Sequence, residues 1–150
     1  MRPALPVAVA VGVLVLGAGV AVFRDGTARL EHRATERRLA ERVERFWKLK
    51  TRGEWAQVHR ELLAPGMRQE ESADEYARAR GIIQYLAWTV DSVKIRGTHA
   101  RVSLTIEVTI DHARGRALKP SPYIRCAVAE DWVLVDGQWY YEGTVPPAGR

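Results

Sequence analysis

The strongest constraint in this sequence is a change in hydrophobic period, from about 3.6 residues to two, near residue 88. Between Arg101 and Ile110 apolar and polar side chains alternate strictly, so a strand there has one apolar and one polar face. The pair Asp136-Gly137 stands between two further apolar runs and is typical of a type I′ hairpin turn, whose central residues both need positive φ. The second half of the chain therefore predicts an antiparallel sheet. Its predicted strands cover residues 88–96, 101–110, 123–135 and 138–142.

The first half of the chain, by contrast, has the period of helices. The first predicted helix covers about residues 27–51 and carries an apolar stripe formed by Leu39, Val43, Phe46 and Trp47. A second helix is expected over residues 54–64, where Pro65-Gly66 stops it. A third begins after Ser72, which has Glu75 at the spacing of a capping box, and is expected to run to about Leu86.

The segment from Ala4 to Phe23 contains no charged residue. A helix of this length just spans a hydrocarbon core about 30 Å thick, so we expect an N-terminal anchor that contacts membrane lipid. A cleaved signal peptide, with Arg2 as its basic end, is the alternative. Basic residues after the segment favour a cytoplasmic domain by the positive-inside rule, whereas the very short N-terminal tail favours an extracytoplasmic one. We prefer a single-pass protein with an extracytoplasmic domain.

The sequence thus divides into four parts. They are an anchor over residues 1–24, a charged juxtamembrane stalk over 25–38, one α+β domain over 39–143 and a flexible tail over 144–150. A chain of 150 residues is long enough for one such domain. The single cysteine, Cys126, excludes an intrachain disulfide, and its apolar neighbours predict a buried, unreactive thiol.

The net charge of +5 does not indicate nucleic-acid binding. Most of the basic residues are arginines that alternate with glutamates at helical spacing, which is typical of a solvated helix face. No glycine-rich phosphate loop, cysteine pair or spaced histidine pair occurs, so the sequence predicts neither a cofactor nor a metal site.

Three runs of residues carry a resemblance to a known superfamily. Residues 46–55 combine a helix end, a Gly-acidic turn and the start of a second helix; residues 62–68 resemble the end of that helix; and residues 130–141 form a hairpin with the pattern W-x-x-x-x-G-x-W. Over about residues 30–143 the chain resembles the nuclear transport factor 2-like (NTF2-like) superfamily, the cystatin-like α+β cone. The resemblance implies an α+β fold with three helices packed on a curved antiparallel four-stranded sheet, and the uncharged segment places an N-terminal transmembrane helix before it. A short anchor with an extracytoplasmic domain is also similar to bitopic assembly subunits of type IV secretion systems.

Enzymes of this superfamily that resemble ketosteroid isomerase or scytalone dehydratase hold an Asp, or a His and an Asp, inside the cone as general base. The resemblance makes Asp91 and His59 the candidate catalytic residues here. For His59 a solvated position or a structural hydrogen bond is the competing interpretation, and the aromatic residues can equally be core. The candidate pocket-lining residues are Trp55, Tyr76, Tyr85, Trp88 and Trp139.

The absence of a convincing catalytic pair in the sequence, together with the anchor and the charged stalk, favours a non-enzymatic function. We expect a membrane-anchored domain that binds a protein partner or scaffolds a cell-envelope assembly. The resemblance also implies a homodimer that forms through the sheet face. The alternative is a small-molecule binder, or an isomerase- or dehydratase-like enzyme, that uses the cone-shaped pocket.

Overall fold

The structure is a computed structural model; it describes the backbone of residues 15–110 and 123–145 and the side chains of residues 26–109 and 123–145. In the described ranges, helices precede a sheet in the order α1 (Val15–Thr51), α2 (Trp55–Leu62), α3 (Met67–Glu70), α4 (Ala73–Arg80), β1 (Ile83–Arg96), β2 (His99–Ile110), β3 (Ile124–Val135) and β4 (Gln138–Val145). The strands form one antiparallel sheet in the order β1-β2-β3-β4. The predicted α+β class with a four-stranded antiparallel sheet is confirmed.

The chain divides into two compact units, with the boundary between Arg37 and Arg38. In the first unit, the described side chains from 26 to 33 are exposed. No helix within the described ranges is both long and apolar enough to cross a membrane. Outside the described residues lie 1–14 of the predicted anchor, residues 111–122 between the second and third predicted strands, and the tail residues 146–150.

The helix ends follow local signals in the sequence. After α1, Gly53 adopts a φ of +72°, a left-handed conformation that costs glycine little, and its N–H donates to the carbonyl of Lys50 at 3.1 Å. Before α4, the Ser72 hydroxyl accepts a hydrogen bond from the N–H of Glu75 at 3.3 Å. The Glu75 carboxylate accepts one from the Ser72 N–H at 2.8 Å, which completes the predicted capping box.

The cap at Ser72 gives a first testable prediction. Replacing Ser72 by alanine removes the acceptor for an N–H at the start of α4 and should lower the free energy of unfolding by about 1 kcal/mol. Urea unfolding followed by circular dichroism measures the change. Ser72→Asn is the control, because asparagine also caps helices; equal losses in the two variants would contradict this role for the hydroxyl.

The predicted third helix is wrong at its C-terminal end. It ends at Arg80 and not near Leu86, and β1 begins at Ile83, before the predicted start at residue 88. An irregularity in the pairing of β1 with β2, between Tyr85 and Ala87, interrupts the alternation of faces there. This interruption leaves Leu86 52% exposed. Without regular alternation, residues 83–87 do not show the period of a strand in the sequence.

Two further differences concern the segment after α2 and the end of the sheet. The short helix α3 was not predicted, and β4 continues beyond the predicted end at residue 142. Leu63 forms a bridge with Tyr141, and the Ala64 N–H donates to the Tyr141 carbonyl at 2.8 Å. Residues 63–64 therefore cover part of the outer edge of β4.

The core lies between the helices and one face of the sheet. In β2 the apolar residues Val102, Leu104 and Ile106 are buried. Phe46 of α1 packs edge-on against Trp132 of β3, with 5.4 Å between ring centroids. The turn that joins β3 and β4 has φ values of 49° at Asp136 and 77° at Gly137, so the residues predicted to form a type I′ turn have the positive φ it requires.

Candidate functional site

A lysine side chain lies inside the domain, at the end of α1. Lys50 is 7% exposed, because it occupies the next position of the apolar stripe, four residues after Phe46. Its ammonium lies 3.8 Å from the ring centroid of Trp47 and 4.4 Å from that of Tyr85. Ring faces attract a cation and replace part of the hydration that burial removes. The aromatic rings around this ammonium, here called the aromatic cage, are Phe46, Trp47, Trp55 and Tyr85.

A fully buried carboxylate lies in the same interior. Glu130 of β3 is 0% exposed. It lies two residues before the buried Trp132, so both side chains point to the inner face of the sheet. Its Oε2 accepts hydrogen bonds from the indole N–H groups of Trp132 at 3.2 Å and Trp47 at 3.4 Å. Its Oε1 is buried and has no hydrogen-bond partner among the described residues. Two donors therefore hold Oε2, whereas Oε1 accepts no hydrogen bond within the described residues.

The two buried charges influence each other. Burial lowers the pKa of Lys50 from 10.5 to about 8; the charge of Glu130 opposes this shift and that of Arg80 adds to it. Burial likewise raises the pKa of Glu130, and the Lys50 charge and the two indole donors oppose that shift. Trp47 links the two groups, because its ring face carries the ammonium while its N–H donates to the carboxylate.

Four of the five predicted pocket-lining residues come together around this pair. Tyr85 lies 5.2 Å from Trp47 and 5.7 Å from Trp55, measured between ring centroids. Trp88 stacks on Trp47 at 6.3 Å, and Tyr76 lies 6.3 Å from Trp55. Burial raises the pKa of Tyr76 to about 12. The fifth predicted residue, Trp139, is fully buried in the core.

The two predicted catalytic residues lie apart. His59 is 6% exposed, and its ring packs at 5.5 Å from that of Tyr76. Its Nε2 donates to the Glu71 carbonyl at 2.8 Å, because a carbonyl can only accept, and its buried Nδ1 has no hydrogen-bond partner among the described residues. Asp91 is exposed at an irregularity in β1 and accepts a hydrogen bond from the Thr105 hydroxyl at 2.9 Å, on the polar face of the sheet. The inward carboxylate of the domain is Glu130.

The polar face of the sheet carries a groove of about 590 Å³, here called the outer groove. Ser103, Ala127 and Ala129 contribute small side chains to it. Arg101 spans it with two hydrogen bonds to Asp131, at 2.8 and 3.1 Å. The other charged or titratable residues that line it are Asp91, Lys94, Arg96, His99 and Glu142.

Sequence reasoning missed Lys50 and Glu130 because it assigned charged residues to solvated faces. The signal was present in both cases. Lys50 continues the spacing of Leu39, Val43 and Phe46, and Glu130 has the parity of its inward neighbours in β3. Among the described residues, no group of three or more His, Cys, Asp or Glu side chains is placed to hold a metal ion. Cys126 is half-buried.

Helices packed on one face of a four-stranded antiparallel sheet define an α+β class, and comparison with solved structures assigns the chain the NTF2-like fold. A candidate dehydratase of the NTF2-like family from Streptomyces avermitilis matches with a TM-score of 0.53 and 14% identity, over 75% of this chain and 94% of the other. The intermembrane space region of the chloroplast protein ARC6 matches with a TM-score of 0.52 and 19% identity, over 73% and 93%. A SEC-C motif-containing protein from Rhodopseudomonas palustris matches with a TM-score of 0.54 and 12% identity, over 68% and 73%.

At these levels of identity, what the chain shares with these proteins is the fold. No protein-family model matches the sequence, and no curated protein matches it. The function must therefore be argued from the chain's own residues.

Proposed function

We propose that this chain is a membrane-tethered binding domain, not an enzyme, and that its outer groove associates with a second copy of the same chain. The observation that carries this proposal is the charge pattern of the groove. Lys94, Arg96 and Arg101 supply three basic groups, and three acidic groups come from Asp91, Asp131 and Glu142.

A balanced charge pattern suits a surface that faces its own copy. In a two-fold symmetric dimer the same patch occurs on both sides, so a patch of one sign would repel itself. Arg101 and Asp131 already pair within one chain, and across the axis Lys94 and Arg96 of one copy can meet Asp91 and Glu142 of the other. The small side chains of Ser103, Ala127 and Ala129 let two sheets approach closely. The edge of β4 offers less room for association, because residues 63–64 and Arg42 already bind its carbonyls.

The tether is supported by the uncharged segment Ala4–Phe23 and the charged residues that follow it. An extracytoplasmic domain is the preferred orientation, and such a domain can assemble envelope components. The NTF2-like fold is also used by the intermembrane space region of ARC6. We test the tether by protease protection of a C-terminally tagged chain in cells, with sequencing of the mature N-terminus. Removal of the N-terminal segment, or protection that persists after the outer barrier is opened, would contradict an anchored extracytoplasmic domain.

The second prediction tests self-association through the outer groove. Ala127 is exposed and lines the groove, so Ala127→Arg places a bulky cation in the interface without disturbing the core. We expect the dissociation constant of the dimer to rise by about tenfold or more. Sedimentation equilibrium of the full chain in density-matched detergent measures it.

Ala79→Arg is the matched control for this prediction. Ala79 is also an exposed alanine, but it lies on α4, outside the groove. Its variant should associate like the wild type. Equal association of both variants would show that the outer groove is not the interface.

A second candidate function is the binding of a small molecule inside the cone. The observation that favours it is the Oε1 of Glu130, which has no partner among the described residues and lies in an interior that also holds Lys50 and aromatic rings. Buried polar atoms usually have a partner, and a ligand donor could supply one. Saturation-transfer NMR with benzyl alcohol, an aromatic ring with one hydroxyl donor, tests it on the full chain. Loss of the signal in Glu130→Gln supports this candidate, and absence of any signal in the wild type opposes it.

A further inference from the structure

The aromatic cage holds an amine that has no hydrogen-bond acceptor in the described part of the chain. The Lys50 ammonium contacts ring faces, and Glu130, the opposite charge that acts on it within the described residues, accepts hydrogen bonds from two indoles instead. Lys48 provides a contrast on the same helix. It is 58% exposed and pairs with Glu44 at 2.6 Å.

We propose that Lys50 is a nucleophilic amine that captures a small aromatic aldehyde in the cone as a reversible iminium. This inference rests on the second candidate function, the binding of a small molecule inside the cone, and names the class of ligand and the atom that reacts. The outer groove and its association play no part in it.

The geometry favours this chemistry in two ways. First, the groups packed around the amine are aromatic rings, and an aromatic aldehyde that reaches the amine can stack on a ring face. Tyr85 and Trp88 are only half-buried, so the cage reaches the surface on their side. Second, an iminium keeps the positive charge of the ammonium. The rings and Glu130 that stabilise the ammonium therefore stabilise the product as well.

The reaction balances without an oxidant or reductant. The Lys50 Nζ attacks the carbonyl carbon, a C–N bond forms and the carbon–oxygen bond breaks. Two protons of the original ammonium leave with the carbonyl oxygen as one water molecule, and the third stays on the iminium nitrogen. Attack requires the deprotonated amine. With a pKa of about 8, roughly a tenth of Lys50 is deprotonated at neutral pH, against less than a thousandth of an ordinary lysine.

Reductive labelling of the full chain tests the proposal. The protein is incubated with benzaldehyde and sodium cyanoborohydride near neutral pH, and peptide mass spectrometry locates the benzylated amines. We expect labelling of Lys50 about ten times faster than that of Lys48, which is exposed and lies outside the outer groove. Peptide mapping separates these sites from the α-amino group, which also reacts. In denaturing urea the preference for Lys50 should disappear.

The outcomes separate this inference from the function on which it rests. Labelling of Lys50 no faster than Lys48 overturns the proposal. If benzyl alcohol nevertheless shows saturation transfer that Glu130→Gln abolishes, the cone binds small molecules but Lys50 is not its nucleophile. If neither labelling nor saturation transfer occurs, the second candidate function fails too. Labelling that prefers Lys50 in the folded chain and loses this preference in urea supports both the proposed reaction and the second candidate function.

Discussion

We expect Arg42→Met to lower the free energy of unfolding by about 3 kcal/mol, because two carbonyl groups lose a charged donor. The Arg42 Nε donates to the Trp139 carbonyl at 2.8 Å, and its Nη2 donates to the Glu61 carbonyl at 2.6 Å. Glu61 lies in the last turn of α2, where helical carbonyls lack intrahelical partners. The Arg42 guanidinium also lies 5.1 Å from the ring centroid of Tyr140. Urea unfolding at neutral pH measures the loss.

Arg45 gives a matched control for this prediction, one turn further along α1. Arg45 also contacts Glu61, but through the exposed carboxylate and not the carbonyl. Exposed ion pairs contribute little, so Arg45→Met should cost less than about 1 kcal/mol. Equal losses in the two variants would mean that the carbonyl contacts of Arg42 do not stabilise the fold.

Arg42 also explains how one edge of the sheet is closed. The carbonyls of Trp139 and Tyr141 lie two residues apart on β4 and point to the same side. Arg42 binds the first and the Ala64 N–H binds the second. An edge strand with occupied acceptors is a poor template for pairing with another chain. The β4 edge is therefore a poorer surface for association than the polar face of the sheet.

The sheet was predictable because its signals are local. The alternation in β2 and the Asp136-Gly137 turn each need only neighbouring residues to specify them. The start of β1 was not predictable in this way. Its irregularity near Leu86 depends on the register with β2, which is a long-range pairing.

The burial of aromatic residues was predictable and the two buried charges were not; a pocket lined by these rings stays a prediction. Trp55, Tyr76, Tyr85 and Trp88 were expected to line a pocket, and large aromatic residues are usually buried. Lys50 and Glu130 break the rule that charged residues are exposed. Only the tertiary structure shows that the ring faces of the cage and the two indole N–H groups reduce the cost of burying them.

The same burial should make stability depend on pH in a way that Lys50 controls. Because the pKa of Lys50 falls to about 8 in the folded chain, the unfolded chain binds more protons between about pH 8 and 10.5. Stability must therefore rise with pH across this window, whereas below it the cost of the buried ammonium is fully present. Burial has the largest effect on the folded pKa of Lys50; of the facing charges, Glu130 raises that pKa and Arg80 lowers it. The raised pKa of Tyr76 acts in the opposite sense, lowering stability above about pH 10, and is common to the variants compared.

We expect the wild type to gain about 2 kcal/mol of unfolding free energy, relative to Lys50→Met, between about pH 7.5 and pH 10. Urea unfolding of both proteins at each pH measures this difference. Lys48→Met is the control and should keep the gain, because Lys48 is exposed. Glu130→Gln removes the charge that raises the pKa of Lys50, so it should move the gain to lower pH. Parallel pH profiles of the unfolding free energy in the wild type and in Lys50→Met would show that Lys50 does not titrate inside the folded domain. This result would also remove the basis for its reactivity.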